Sequence, residues 1–138
     1  MRRNIPDYQR RAVAERAAFC CEYCRLPEKA AFFLFQVDHI VSVRHEGETE
    51  LENLAYACPI CNRKKGTDLG TLVGNPPKLI RFFNPRIDQW VEHFSLEESG
   101  EIVSKTDIGA ATVKFLDFNY PDAVIERRKL IVAGVLTI

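Results

Sequence analysis

The feature that most constrains this sequence is a pair of Cys-x-x-Cys motifs separated by 33 residues, formed by Cys21, Cys24, Cys58 and Cys61. Zinc prefers four soft ligands in a tetrahedron, and each such turn supplies two sulfurs from one tight loop. A dithiol redox pair would need one turn only. The spacing therefore predicts a structural Zn²⁺ site that closes residues 21–61 into one loop. The fifth cysteine, Cys20, is interpreted as a buried thiol at a helix end.

Length and composition favour one compact domain, or a small module with an appended one, because the chain has 138 residues of which 46% are hydrophobic. A membrane-spanning helix needs about 20 apolar residues, whereas the longest candidate run, residues 130–138, has nine. The basic N-terminus has no apolar segment after it and does not fit a secretory signal. We therefore expect a cytoplasmic protein with reduced thiols and no membrane contact.

The charges sum to zero, which by itself argues against a general nucleic-acid binder. Their distribution along the chain is nevertheless uneven. Lys and Arg outnumber Asp and Glu by seven to four in residues 1–30 and by six to two in residues 61–90, and the ratio is two to eight in residues 91–126. This pattern allows a local basic face, and an ordinary solvated surface explains it equally well.

The first half of the chain carries patterns typical of short helices and strands. Alanine-rich residues after Asp7 predict a helix capped by that aspartate. Pro59 suits the first turn of a helix, and Gly66 suits the position that ends one. A run of aromatic and β-branched residues predicts a strand that ends at Asp38. The expected order is a helix at 7–19, a strand at 31–37, a loop at 42–52, a strand at 53–58 and a helix at 59–65.

The second half predicts a separate set of small elements. Residues 70–77 contain Gly and Pro and are interpreted as a break. A Glu-Glu-Ser-Gly turn predicts a hairpin, Thr106 or Asp107 suits a helix cap, and Pro121 suits the start of a final helix. The expected elements are a hairpin at 90–104 and helices at 106–118 and 121–136. The sequence thus predicts an α+β fold with two domains, 1–69 and 70–138, the second packed on the first.

Four polar residues lie in or just after the predicted zinc-closed loop: Asp38, His39, Asn53 and Asn62. Hydrolysis of a phosphodiester needs a base that deprotonates water and a hard cation that offsets charge on the phosphate. His39 suits the base, and the oxygens of Asp38 and Asn62 suit Mg²⁺ or Mn²⁺. Because neighbouring strand residues point to opposite faces, the strand must end or distort at Asp38 and His39 for both side chains to serve one site.

These residues resemble the HNH endonuclease family in its zinc-bearing form. The matching segments, within roughly residues 15–68, are Cys-Glu-Tyr-Cys at 21–24, Val-Asp-His-Ile at 37–40, Glu-Asn-Leu at 52–54 and Cys-Pro-Ile-Cys-Asn-Arg-Lys-Lys-Gly at 58–66. The resemblance implies a ββα-metal (His-Me) finger stapled by the four-cysteine zinc site. The residue patterns add a small C-terminal β-hairpin and helices.

The resemblance also implies a role for each signature residue. His39 is the general base that activates water, and Asp38 is a ligand of the catalytic metal. Asn53 ties down the loop and orients the histidine, and Asn62 is the second ligand. Family members often have histidine at this third signature position, so the chain is an HNN variant. Because an amide oxygen is a harder donor than an imidazole nitrogen, we expect Mg²⁺ or Mn²⁺ rather than Ni²⁺ or Zn²⁺ there.

Basic residues after the last cysteine are candidates for contact with DNA. Arg63 and Lys65 suit a phosphate, although cations at a helix C-terminus also complement the helix dipole. Arg86, which follows Asn-Pro, is a further candidate. His45 is expected to be solvated and His93 to be packed in the core. The last helix is expected to carry three cations on an exposed turn, where they extend a DNA surface or are simply solvated. These residues are Arg127, Arg128 and Lys129.

The predicted function is that of a metal-dependent endonuclease, which hydrolyses DNA phosphodiester bonds by nicking or, as a homodimer, by double-strand cutting. The main alternative is a non-catalytic zinc-stabilised module that binds nucleic acid or protein. A second is a toxin-like nuclease domain released from a larger protein. Residues 81–94 and 106–113 resemble the tail of small bacterial HNH proteins of unassigned role, in which an arginine often stands at the position of Ala110.

Overall fold

The computed structural model describes residues 4–138. Residues 1–3, which belong to the predicted basic segment and to the predicted first domain, lie outside the described residues. The chain divides into two units: the first runs to Leu69 and includes Asn84–Ile87, and the second comprises Gly70–Phe83 and Asp88–Ile138. Helices and small antiparallel sheets occur in both units, so the fold mixes helix and strand as α+β proteins do.

The first unit contains helices α1 and α2 and the antiparallel strands β1 and β2. Their bounds are Asp7–Arg16 for α1, Gln36–His39 for β1, Leu54–Ala57 for β2 and Pro59–Lys65 for α2. Short 3-10 turns cover Glu28–Ala30, Val43–His45 and Leu51–Asn53. In the sheet, Asp38 pairs with Ala55 and His39 with Leu54. Every residue of β2 is buried. Its pairing with β1 therefore holds the end of β1 close to the interior of the unit.

Helix α2 begins and ends where the sequence predicts. Pro59 is its first residue, and the Cys58 sulfur caps it by accepting the Cys61 N–H at 3.4 Å. Gly66 ends the helix with a φ of 54°, a backbone conformation that glycine adopts at little cost.

Strand β1 is shorter than predicted because the segment before it is not paired with another strand. It begins at Gln36 instead of residue 31. The Phe35 N–H donates to the Glu28 carboxylate at 2.8 Å, so this amide is already bonded outside the sheet. Phe32, Phe33 and Leu34 are exposed and have no sheet neighbour that would bury them.

Helix α1 also ends earlier than predicted, at Arg16 rather than residue 19. Ala18 and Phe19 have φ values of 52° and 57°, in the left-handed region, which a helix cannot continue through. The predicted cap is wrong as well. Pro6 occupies the N-cap position without a side-chain hydrogen bond, and Asp7 is the first helical residue, where its charge faces the positive end of the helix dipole.

The second unit consists of two hairpins and three helices within the described residues. Their bounds are Gly70–Val73 (β3), Lys78–Arg81 (β4), Trp90–His93 (α3), Phe94–Leu96 (β5), Ile102–Ser104 (β6), Asp107–Phe115 (α4) and Pro121–Val132 (α5). Thr106 caps α4 by accepting the Gly109 N–H at 3.0 Å, and Pro121 opens α5, both as predicted. The hairpin of β5 and β6 is likewise confirmed, with Ser95 opposite Val103.

Two predictions for this unit are wrong. Residues 70–77 are not a break, because residues 70–73 pair with β4 and the Gly-Asn-Pro-Pro segment forms the hairpin turn. A Cβ at Gly70 would lie 2.4 Å from the Ile80 carbonyl oxygen, so the close approach of the two strands requires glycine. Residues 90–93 form a helical turn rather than a strand, since the Phe94 N–H donates to the Trp90 carbonyl.

The last helix buries a cation that the sequence placed at the surface. Arg127 is fully buried, whereas Arg128 and Lys129 are exposed as expected. The Arg127 guanidinium donates to the Gly100 and Phe118 carbonyl oxygens, both at 2.6 Å, and to Asn119 Oδ1 at 3.3 Å. This side chain therefore holds the β5–β6 turn and the loop before α5 onto the helix, and it does not extend a DNA surface.

Replacement of Arg127 by Met should destabilise the second unit, because the Gly100 and Phe118 carbonyl oxygens would lose a buried donor. We expect the free energy of unfolding, measured by urea titration, to fall by about 3 kcal/mol. The exposed neighbour gives a matched control, and Arg128→Met should change it by less than about 0.5 kcal/mol. Equal losses in the two variants would contradict the role assigned to Arg127.

Candidate functional site

The four cysteines of the two Cys-x-x-Cys motifs form one buried cluster. Their sulfur atoms all lie within 4.8 Å of one another, and the Cys24 and Cys58 sulfurs are 3.7 Å apart. A tetrahedral zinc ion with Zn–S distances of about 2.3 Å requires sulfur–sulfur separations of roughly 3.8 Å. In each turn the first sulfur accepts the N–H of the second cysteine at 3.4 Å, which fixes the side chain inward. The donor set and its spacing therefore fit Zn²⁺.

The protonation of the cluster also suits a cation. Hydrogen bonds from the Cys21, Cys24 and Cys61 side chains lower the pKa of the Cys58 thiol. Hydrogen bonding with Cys21 and burial raise the pKa of Cys24 and of Cys61. Zinc binds thiolates, so binding of the ion would displace the thiol protons of the cluster.

Cys20 lies outside this cluster. It is partly exposed rather than buried as expected, and its sulfur contacts the Ala18 carbonyl oxygen at 3.5 Å. Burial raises the pKa of the Cys20 thiol, which favours its protonated form.

Polar contacts hold the first cysteine turn to strand β2. Glu22, between Cys21 and Cys24, accepts the Tyr56 N–H at 2.8 Å and forms an ion pair with Arg86. The Arg86 side chain is 14% exposed. Its charge is thus directed to an internal carboxylate, and a DNA contact by this residue stays a prediction.

Asp38, His39 and Asn62 line the same cavity, which has a volume of about 500 Å³. Asp38 and His39 are both paired in the sheet, and strand β1 ends directly after them. Asn62 comes from α2, on the turn directly after Cys61. A carboxylate and an amide are the kinds of side chain that bind Mg²⁺ or Mn²⁺. The structure therefore brings together the predicted base and both predicted ligands.

The imidazole of His39 is oriented by a residue that the sequence analysis missed. His39 Nε2 and Thr49 Oγ1 are 2.9 Å apart, and the Thr49 carbonyl accepts a hydrogen bond from Gln9 Nε2 at 3.2 Å. Thr49 lies in a polar loop, and nothing in its sequence neighbourhood distinguishes it from other threonines.

Asn53 faces the backbone of the loop after His39. Its Oδ1 accepts the Val41 N–H at 2.9 Å, and its Nδ2 donates to the Val41 carbonyl at 2.9 Å and to the Glu48 carbonyl at 2.8 Å. The Asn53 carbonyl also accepts the Ile40 N–H at 2.8 Å. This geometry closes the loop that carries Thr49, which is the contact pattern expected of a residue that ties the loop down.

Lys65 points into the protein. Its side chain is 3% exposed, and its Nζ lies 3.0 Å from Asp38 Oδ2 and 3.1 Å from the His39 carbonyl oxygen. Arg63, two residues earlier, is exposed. Of the cations predicted to contact DNA, Arg63 is accessible, whereas Lys65 and Arg86 are paired with carboxylates.

Further polar residues that line the cavity and were not singled out by the sequence include Arg10, Ser42 and Arg44. Ser42 is buried, and its hydroxyl has no hydrogen-bond partner among residues 4–138. Arg44 is exposed at the rim. The position of Arg44, between the Asp-His pair and His45, was a signal in the sequence that could have identified it as a cavity residue. Arg10 had no such signal in the sequence, because the helix that carries it precedes the signature segments.

Of the histidines outside the cavity, His45 has the predicted placement, whereas His93 is only partly buried, with its side chain 12% exposed. His45 is exposed in the loop. His93 Nδ1 lies 2.6 Å from Thr106 Oγ1, and its ring packs edge-on against Phe83 with centroids 6.0 Å apart.

Residues 21–68 match the family model described as HNH endonuclease. The matched segment contains all four cysteines of the cluster and the cavity residues Asp38, His39 and Asn62, and the resemblance to the HNH family is confirmed over this segment. Comparisons with curated proteins and with solved structures found no match. The likeness of residues 81–94 and 106–113 to tails of other HNH proteins stays a prediction. Within residues 4–138, every helix is too short or too polar to span a bilayer.

Loss of one cluster cysteine should abolish zinc binding. We expect the purified protein to contain about one zinc ion per chain and Cys24→Ser to contain almost none, since three thiolates and a hydroxyl are a poor set for this ion. Cys20→Ser, which changes the adjacent cysteine outside the cluster, should keep its zinc. Elemental analysis measures both, and retention of zinc in Cys24→Ser would contradict the assignment of the centre.

Proposed function

We propose that this protein is a metal-dependent endonuclease that hydrolyses phosphodiester bonds of DNA. The observation that carries the proposal is the cavity shared by Asp38, His39 and Asn62, within a segment that matches the HNH family. A base and two hard oxygen donors in one cavity form the minimal set for hydrolysis of a phosphodiester. The cysteine cluster alone would serve a purely structural module equally well.

His39 takes the proton from the attacking water. The Thr49 hydroxyl lies 2.9 Å from Nε2, and we assign proton acceptance to Nδ1 on the basis that this hydroxyl accepts the Nε2 hydrogen. When Thr49 accepts the Nε2 hydrogen, the neutral tautomer with a lone pair on Nδ1 is favoured. Asn53 supports this arrangement indirectly, because it holds the backbone of the loop to which Thr49 belongs.

Asp38 and Asn62 would hold the catalytic ion, from a strand and a helix that face the same cavity. A bound Mg²⁺ or Mn²⁺ supplies charge that stabilises the phosphate and the leaving oxygen in the transition state. Asp38 is 9% exposed, so its carboxylate acts in a site with little competing water.

Arg44 and Arg63 are the cations we assign to the DNA backbone. Both are exposed, and Arg44 lies at the cavity that contains His39. Phosphate contacts fix the position of a duplex without selecting its sequence, so we expect little base specificity from this site. One such cavity cuts one strand, so nicking is the expected activity of a single chain and double-strand cutting that of a homodimer.

Nicking of supercoiled plasmid tests the proposal. We expect the zinc-loaded protein to nick with Mg²⁺ or Mn²⁺ and not with EDTA, and His39→Ala to lose at least about a hundredfold in rate because the base is removed. His45→Ala, an exposed histidine in the same loop, is the matched control and should retain activity.

Equal nicking activity of the wild type and of His39→Ala would contradict the proposal that this cavity is a nuclease site. Inactivity of a folded, zinc-loaded wild type on plasmid and on single-stranded DNA would favour the non-catalytic zinc module. Measurement of DNA affinity against salt concentration would then show whether that module binds nucleic acid at all.

A further inference from the structure

Lys65 contacts both residues of the Asp38–His39 pair. Its ammonium lies 3.0 Å from Asp38 Oδ2 and donates to the His39 carbonyl at 3.1 Å. The lysine is 2% exposed and Asp38 is 9% exposed, so solvent screens the pair weakly. Lys64, the adjacent residue, is exposed. The chain therefore places one lysine of a basic run inside, against a carboxylate that we assign to a metal ion.

The position of Lys65 on helix α2 links the two halves of the cavity. Residues three apart on a helix are neighbours on one face, and Lys65 follows Asn62 by three residues as the last residue of α2. Its side chain thus connects the helix that carries Asn62 to the end of the strand that carries Asp38 and His39. This contact therefore ties the end of α2 to the end of β1, the two elements from which the proposed oxygen donors come.

The same contact has an electrostatic effect on any second cation. An ammonium 3.0 Å from Asp38 Oδ2 already neutralises much of the carboxylate charge. A divalent ion bound to Asp38 would lie within a few ångströms of this ammonium, and like charges at that distance in a buried site repel strongly. Asn62 is neutral and cannot compensate. Lys65 should therefore lower the affinity of the cavity for a divalent ion below that of an unpaired carboxylate.

We propose that Lys65 is a resident counter-cation of Asp38, which positions the carboxylate and keeps the binding of a divalent ion weak and reversible. The inference rests on the proposed function, because it concerns the metal ion assigned to the same cavity. In this account Lys65 is a positioning residue that acts through Asp38, and it is not a contact to DNA.

Direct titration of Mn²⁺ into the zinc-loaded full chain, followed by electron paramagnetic resonance, tests this role without relying on activity. Lys65→Met keeps most of the side-chain length and removes the charge. We expect it to bind Mn²⁺ at least about tenfold more tightly than the wild type. Lys64→Met removes an exposed charge one residue away and should leave the affinity within about twofold of the wild type. The added substitution Asp38→Asn should abolish the gain.

Lys65→Gln provides a second variant, because glutamine retains a hydrogen-bond donor for the His39 carbonyl but carries no charge. The zinc content of each purified variant verifies that it is folded. Unchanged or weaker Mn²⁺ binding in zinc-loaded Lys65→Met or Lys65→Gln would overturn the inference while leaving the proposed metal site intact. Absence of any Asp38-dependent binding, in the wild type and in both lysine variants, would overturn the metal site and the inference together.

Discussion

The four-cysteine cluster is the constraint on which the first unit depends. It joins the turn after α1 to the first turn of α2, and Asn62 directly follows its last sulfur ligand, Cys61. The position of Asn62 is therefore set by the cluster rather than by packing of a long helix, since α2 has only seven residues. A helix this short is not stable alone in water. Zinc binding and the geometry of the cavity are thus expected to be coupled.

The cluster and the cavity differ in the kind of metal they favour. Four buried sulfurs select a soft or borderline ion, whereas a carboxylate and an amide select a hard one. In our proposal the two sites share α2 but have separate donors, so the hard ion can be removed without loss of the zinc, whereas loss of zinc would disturb the cavity. Around the cavity, Thr49 and Asn53 fix the base and its loop, and Lys65 fixes the carboxylate. The proposed base and the carboxylate ligand are therefore both oriented by residues beside them.

The cysteine cluster and the signature residues could be predicted from the sequence because each depends on local spacing. Two Cys-x-x-Cys turns specify their own ligands, and Pro59 and Gly66 delimit a helix by backbone preference alone. The residues that orient the site could not be predicted in this way, because Thr49 and Arg10 reach it through tertiary contacts. Lys65 and Arg127 looked like surface cations in their basic runs. Burial of a charge depends on acceptors that are distant in sequence, such as Asp38 and the Gly100 carbonyl.

The most direct test of the central claim is to locate a paramagnetic Mn²⁺ ion on the zinc-loaded protein by nuclear magnetic resonance. Mn²⁺ broadens the amide signals of nearby residues, so substoichiometric ion should first broaden those of Asp38, His39 and Asn62, and Asp38→Asn should remove the effect. The acidic stretch at 91–126 provides an internal control for loose binding to carboxylates. Broadening confined to that stretch, with the three cavity signals unchanged, would contradict a hard-metal site built from Asp38 and Asn62.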